Sequence, residues 1–398
     1  MKNNVYWLGK IDWELKKFHG DEYSINRGTT YNSYLIREEK NVLREEKNVL
    51  IDTVWLPFAG EFVANLQKEI DLKKIDYVVA NHAEIDHSGA LPELMRFIPD
   101  TPIYCTQNAL KSLRGHYHQN WNFKPVKTGD KISLGNGKEL IFVEMRMLHW
   151  PDSMACYLTG DNILFSNDAF GQHYASEYMF NDLVKQDELF SECIKYYANI
   201  LTPFSKLVDA KIKEVLALQL PIDIIATSHG VIWRQNPTQI VEKYLQWANA
   251  YQENQITLVY DTMWEGTRRM AETIAKGIKD VNAAANVKLY NAAKIDKNDI
   301  MTEIFKSRIV LFGSPTINKG IATALAGIFE ELKGLQFVNK KAAAFGCYGW
   351  SGESVGNMNK LITEAGWELI NDGIKCFWNP DEESITKCFL YGQEIGRM

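Results

Sequence analysis

Four side chains able to ligate a metal ion fall together in His82-x-Glu84-x-Asp86-His87. They follow an apolar run, Tyr77-Val78-Val79-Ala80, that reads as a buried strand. After them Leu91, Leu94, Met95 and Ile98 recur at helical spacing, so the pattern predicts a strand-to-helix loop. A strand anchors such a loop rigidly while the loop lets its side chains converge, and imidazoles mixed with carboxylates are the donors of a metal site. Three more ligand types stand beyond predicted strands. His149 lies in Leu148-His149-Trp150-Pro151-Asp152-Ser153, Asp168 follows Ile163-Leu164-Phe165-Ser166-Asn167, and His229 follows the run 222–226. Singly, each has an ordinary explanation as a hydrogen-bonded loop residue. Jointly, they can gather along one edge of a sheet sandwich.

The elements that position them belong to a chain of 398 residues, which predicts two domains. Hydrophobic residues make up 46% and charged residues 24%, as in ordinary water-soluble folds. The net charge of −6 with no basic block argues against a nucleic-acid partner. The first residues lack an apolar signal core, and no apolar run is long enough for a membrane span. The six cysteines form no C-x-x-C pair, which argues against a fused rubredoxin module, a structural zinc and a disulfide framework. A reducing cytoplasm is the expected setting. Early strands are expected at 5–9, 34–36 and 49–51, another at 102–105, and a hairpin from 132–134 and 140–143. The heptad Arg37–Leu43 is repeated unchanged as Arg44–Leu50. Seven is odd and strands alternate faces with period two, so the extra copy is expected to extrude as a charged hairpin tip around residues 37–47.

A helix is expected over 238–250, and the polar run Gln252-Glu253-Asn254-Gln255 marks a boundary, giving domains 1–251 and 252–398. Strands at 256–261, 287–291, 308–313, 341–346 and 367–371 then alternate with helices at 267–280, 298–306, 322–333, 354–365 and 381–396. This alternation predicts a doubly wound parallel sheet, whose ligand lies beyond the carboxyl ends of the strands. Three loops fall there: Thr262-Met263-Trp264-Glu265-Gly266-Thr267, Ser314-Pro315-Thr316-Ile317-Asn318 and Tyr348-Gly349-Trp350-Ser351-Gly352. Hydroxyls and amides at a helix start suit a phosphate. An aromatic among glycines suits a flat ring, and flavin mononucleotide (FMN) combines both. The absence of G-x-G-x-x-G disfavours a dinucleotide.

The set His82, Glu84, Asp86, His87, His149, Asp168 and His229, with the supporting stretches Asn167–His173 and Tyr196–Leu201, resembles the flavodiiron proteins, also called A-type flavoproteins. The resemblance spans essentially the whole chain, apart from the repeated heptad. It implies an α+β metallo-β-lactamase-like αββα sandwich followed by an α/β flavodoxin-like domain. It implies that His82, Glu84 and His149 hold one iron, that Asp86, His87 and His229 hold the other, and that Asp168 bridges an oxo- or hydroxo-linked pair. Related zinc hydrolases place a histidine where Glu84 stands, and the added carboxylate favours iron. The implied activity is reduction of nitric oxide to nitrous oxide, of dioxygen to water, or both, with electrons from a separate rubredoxin passing through FMN. A head-to-tail homodimer, or a dimer of such dimers, is also implied. His19 and Tyr196 resemble residues lining the substrate pocket. His116 and His118 read as a surface pair, and His173 has no assigned role. Two other readings are a dizinc hydrolase with an appended flavodoxin, and an electron-carrier flavoprotein with a non-catalytic first half.

Overall fold

The computed structural model describes residues 1–2, 4–37 and 47–398. The charged hairpin tip expected around residues 37–47 falls, over 38–46, outside the described residues; the flanking strands Tyr34–Ile36 and Asn48–Ile51 pair antiparallel, Ile36 opposite Val49. The backbone divides into two units, Met1–Tyr196 with Phe204–Leu245, and Tyr197–Pro203 with Gln246–Met398. The boundary therefore differs from a simple cut after residue 251. The segment 197–203 groups with the second unit because the Tyr197 ring packs on Trp247 and Phe305, and the Asn199 amide donates to Asn298 and Thr302.

The first unit holds two sheets. One runs in the order Val5–Trp7, Tyr34–Ile36, Asn48–Ile51, Ile75–Val79, Ile103–Thr106, Phe123–Val126, and its last three pairings are parallel. The other runs Lys131–Gly135, Lys138–Glu144, Met154–Leu158, Ile163–Asn167, Ile224–Thr227. Alternation sorts the side chains by face. Val49, Ile51 and Val79 meet Leu140, Phe142, Phe165 and Ala226 between the sheets. Leu50 and Val78 instead point outward, onto Phe62, Leu66 and Leu113 of helices Ala59–Glu69 and Gln107–Tyr117. Helices Ser205–Ala217 and Thr238–Ala248 line a cavity against the outer face of the second sheet, completing four layers, αββα. The helix expected from Leu91 is only Leu91–Leu94, in part because Ile98 precedes Pro99 and a residue before proline avoids the helical region.

The second unit is one parallel sheet in the order Asn286–Asn291, Gln255–Tyr260, Ile309–Gly313, Lys341–Tyr348, Glu368–Leu369. This is the 2-1-3-4-5 order of flavodoxin-like folds, which places a switch point beside the first strand. The fifth position is split. Glu368–Leu369 is shorter than expected, and a strand missed in the sequence, Ile374–Phe377, pairs with the upper half of Lys341–Tyr348. Gly373 lies between the two pieces at φ +84° with its α-carbon packed on Ala344, where a β-carbon would come within 2.3 Å of the Ala344 carbonyl oxygen. Among the described residues no helix is long and apolar enough to cross a membrane, and all six cysteines are free.

Candidate metal centre and flavin edge

The first cluster is built from four chain segments at one edge of the two sheets. His82 follows strand Ile75–Val79, while Asp86 and His87 sit within the short helix Ile85–Ser88 rather than in an open loop. His149 comes from the turn after Lys138–Glu144, Asp168 directly follows Ile163–Asn167, and His229 follows Ile224–Thr227. The backbone is held in the left-handed region at Asp52, Met147, Asn167 and Phe170. Such conformations cost side-chain-bearing residues about 1–3 kcal/mol each and persist where the surroundings impose them.

Two triads result, His82–His149–Asp168 and Asp86–His87–His229, each with ligand atoms within 4.8 Å of one another. Asp168 faces both. Its Oδ2 lies 3.7 Å from His82 Nε2 and 3.5 Å from His149 Nε2, while its Oδ1 lies 3.0 Å from His87 Nε2 and 3.6 Å from His229 Nε2. Glu84 Oε2 stands 3.2 Å from His82 Nε2 and 3.7 Å from His149 Nε2, and Asp86 Oδ2 stands 3.1 Å from His87 Nε2 and 3.0 Å from His229 Nε2. The structure thus brings together all seven residues expected from sequence.

Burial would push the Asp86 and Asp168 carboxyls up, but the neighbouring His87 charge holds both well below the carboxylate range. Glu84 also resists burial: hydrogen bonds from His19 and His82 bring it down to about 2. Conversely, burial disfavours the His82 cation, yet Asp152 and Glu84 raise its pKa to about 10. Both carboxylate oxygens of Asp86 and of Asp168, and Nε2 of His87, are buried with no partner in hydrogen-bond geometry. Unpaired buried acceptors cost about 1–3 kcal/mol each. Acceptor oxygens and imidazole nitrogens crowded in this way fit cations that they would coordinate directly.

The groups behind the ligands were not legible in the sequence as such. His82 Nδ1 faces Asp152 Oδ2 at 2.9 Å, and the same oxygen accepts from the Ala83 amide. His229 Nδ1 faces the Thr30 carbonyl at 2.7 Å. Each contact leaves Nε2 turned inward, the usual device for orienting a ligating imidazole. Asp152 stands three residues after His149, the one sequence signal that could have marked it. His19, at φ +52° and with its side chain 35% exposed, places Nε2 3.1 Å from Glu84 Oε1. Tyr196 is buried with its ring 5.2 Å from that of His173, whose Nδ1 meets the Thr29 hydroxyl at 2.9 Å. His116 and His118 are exposed.

In the second unit, the three expected loops follow adjacent strands and are tied together. Thr262–Thr267 leads into helix Gly266–Val281, and the Thr267 hydroxyl lies 3.2 Å from Cys347 Sγ. In Ser314–Asn318, the Thr316 amide donates to the Cys347 carbonyl and its hydroxyl donates to Ser354. Ser354 heads helix Glu353–Glu364, directly after Tyr348–Gly352. Glu265 pairs with Arg268, and Asp261 accepts from the Thr262 amide. The Thr262 hydroxyl is buried without a partner at the start of Gly266–Val281, which fits a phosphate oxygen. Trp264 and Trp350 are 80% and 88% exposed, as is Met263 to about half. Sequence reasoning missed Trp378, one residue past strand Ile374–Phe377. Its ring lies 6.2 Å from that of Trp350 and so close to Gly349 that a β-carbon there would come within 2.8 Å.

Comparison with known proteins agrees with both halves. Residues 29–230 match the ODP family beta lactamase model, and residues 258–392 match Flavodoxin. The chain is 57% identical to the anaerobic nitric oxide reductase flavorubredoxin of Escherichia coli O1:K1 / APEC, over all of this chain and 81% of that protein. The rubredoxin oxygen:oxidoreductase of the anaerobe Desulfovibrio gigas superposes with a TM-score of 0.93 at 35% identity, covering 99% of this chain and 96% of that one. The flavodiiron protein of Giardia intestinalis does so at 0.92 and 30% identity, covering 99% and 94%. A β-lactamase-like sandwich in which seven histidine and carboxylate side chains converge, followed by a flavodoxin domain and matched over its full length by such relatives, makes this chain an oxidoreductase of the flavodiiron protein family.

Proposed function

We propose that the protein reduces nitric oxide to nitrous oxide, dioxygen to water, or both, using electrons from a rubredoxin that pass through FMN to a pair of irons. The observation that carries this reading is Asp168, whose two oxygens are divided between two histidine-containing triads. His82, Glu84 and His149 would hold one iron and Asp86, His87 and His229 the other. When bound, the irons would supply open coordination positions for a small gas, and FMN would supply electron pairs released singly.

The protein's own groups have separate tasks. Asp152 and the Thr30 carbonyl hold the His82 and His229 rings with Nε2 inward. Glu84 is kept ionised by His19 and His82, so it presents an anionic oxygen at neutral pH. Desolvation lowers the His19 pKa, but the hydrogen bond to Glu84 raises it overall, so the ring holds its proton more firmly beside the cluster. That proton, and the Tyr196 hydroxyl, are the candidate donors to reduced oxygen or nitrogen species. The Thr262 hydroxyl and the start of helix Gly266–Val281 would take the FMN phosphate, with Ser314–Asn318 and Tyr348–Gly352 around the ring and Trp350 against it. A head-to-tail homodimer would bring one subunit's flavin to its partner's irons.

The test is anaerobic turnover of each gas with reduced rubredoxin, together with metal analysis after iron-replete expression. Iron near two per chain with gas consumption is expected. Two zincs without iron, or hydrolysis without gas reduction, would overturn the proposal in favour of a hydrolase.

A further inference from the structure

The outer face of the second sheet contains a feature that none of these steps uses. A cavity of about 40 Å³ lies between that face and helices Ser205–Ala217 and Thr238–Ala248, lined by Ala155, Leu164, Ile212, Val215 and Val241 among others. This is roughly three times the volume that one water-sized molecule needs. The polar atoms that border it are engaged elsewhere. The Ser166 hydroxyl donates to the Ala169 carbonyl at 2.7 Å, the Tyr157 hydroxyl to the Pro221 carbonyl at 2.6 Å, and Lys211 pairs with Glu214 at 2.7 Å. Buried water requires two to four polar partners, so this space is suited to an apolar occupant. Its ends matter as much as its lining. It borders Tyr157 and Leu164, which pair across neighbouring strands, and extends past the pair Val143–Ala155 to Met145 and Phe170. Met145 begins the turn that carries His149, and Phe170 stands two residues after Asp168. At the helix side, Leu216 and Leu218 are exposed.

We propose that this cavity binds the small apolar gas consumed at the seven-residue cluster and supplies it from beneath the His149 and Asp168 loops. The inference rests on the gas-reductase reading above. An uncharged diatomic molecule has no hydrogen bonds to forfeit on leaving water, so an apolar void raises its local concentration without any polar contact.

Xenon is the probe. Crystals of the full chain pressurised with xenon are expected to hold it between Ala155 and Val215. Ala155→Leu, which fills the void from the sheet, and Val215→Phe, which fills it from the half-buried helix face, should both lose xenon. Each should lower kcat/KM for nitric oxide several-fold, with kcat at saturating gas, iron and FMN content retained. Val215→Phe remains informative should Ala155→Leu not fold. No xenon in the wild-type cavity would overturn the site. Xenon present with kcat/KM unchanged in both variants would overturn the supply role. Xenon binding by a wild-type protein that reduces neither gas would instead remove the proposed function and leave the cavity as a gas site.

Discussion

The cluster in the first unit and the strand edge in the second solve opposite problems. His82, Asp86, His87, Asp168 and His229 are almost wholly buried, and their ligand-type atoms crowd against one another, His87 Nε2 3.0 Å from Asp168 Oδ1 and His229 Nε2 3.0 Å from Asp86 Oδ2. The flavin edge presents Trp350, Trp264 and Trp378 largely to solvent, and its loops are tied by amides and hydroxyls such as Thr316 to Cys347 and Ser354. A small cation rewards preorganised, desolvated donors, because electrostatic attraction strengthens where water is excluded. A large planar ligand brings its own apolar surface, so its site can stay open until the ligand covers it. Damage to the first site should therefore spread to metal content and activity, while damage to the second should stay with ligand affinity.

The largest expected effect follows from His87→Asn. Gas turnover should fall to background while FMN remains bound, read by a nitric oxide electrode and the visible spectrum; loss of flavin as well would break the separation of the two sites. Next comes Asp152→Asn, which leaves every proposed ligand in place but weakens the contact that turns His82 inward. A 10–100-fold loss in metal affinity or activity is expected, about the usual size for such partners, measured as iron per chain. Trp350→Ala should leave the melting temperature almost unchanged, since exposed positions contribute within about 0.5 kcal/mol. FMN affinity should nonetheless fall by up to about tenfold, as expected from losing about 0.5–1.5 kcal/mol of ring stacking.

The smallest effect concerns the metal-free protein and pH. His82 is raised from 6.5 to about 10, so its contribution to stability is complete below pH 6.5 and disappears as pH rises through about 10. Glu84 is lowered from 4.5 to about 2, so its contribution is complete above pH 4.5 and disappears as pH falls through about 2. Stripped of metal, the combined contribution of these two groups should be greatest between about pH 4.5 and 6.5, checked by thermal melts against a His82→Gln, Glu84→Gln variant. At pH 7, added ferrous iron should release protons that His82 and His87 hold, since ligating imidazoles must be neutral. Calorimetry in buffers of different ionisation heat would count them.

How much was visible beforehand depended on what each residue contributes. The seven cluster residues were legible because their side-chain types are rare together and each follows an apolar run. That the three loops proposed for the flavin lie on one edge was legible because βα alternation places the carboxyl ends of strands together. Thr30 was not, since it acts through a carbonyl that every residue possesses. Trp378 was missed with its strand, Ile374–Phe377, because Gly373 interrupts the fifth sheet position and so broke the expected run. The segment 197–203 gave no sign that it groups with the second unit, because aromatic packing of Tyr197 on Phe305 depends on partners far along the chain.

By itself the sequence determined the donor chemistry: four imidazoles and three carboxylates at strand ends, and a doubly wound domain with hydroxyl- and aromatic-bearing loops at its ligand edge. Tertiary structure alone decided which Asp168 oxygen faces which triad, which imidazole nitrogen turns inward, and that an apolar cavity borders the same loops. Residue type sets what a group can bind, whereas its direction is set by packing and hydrogen bonds from segments that only folding brings alongside.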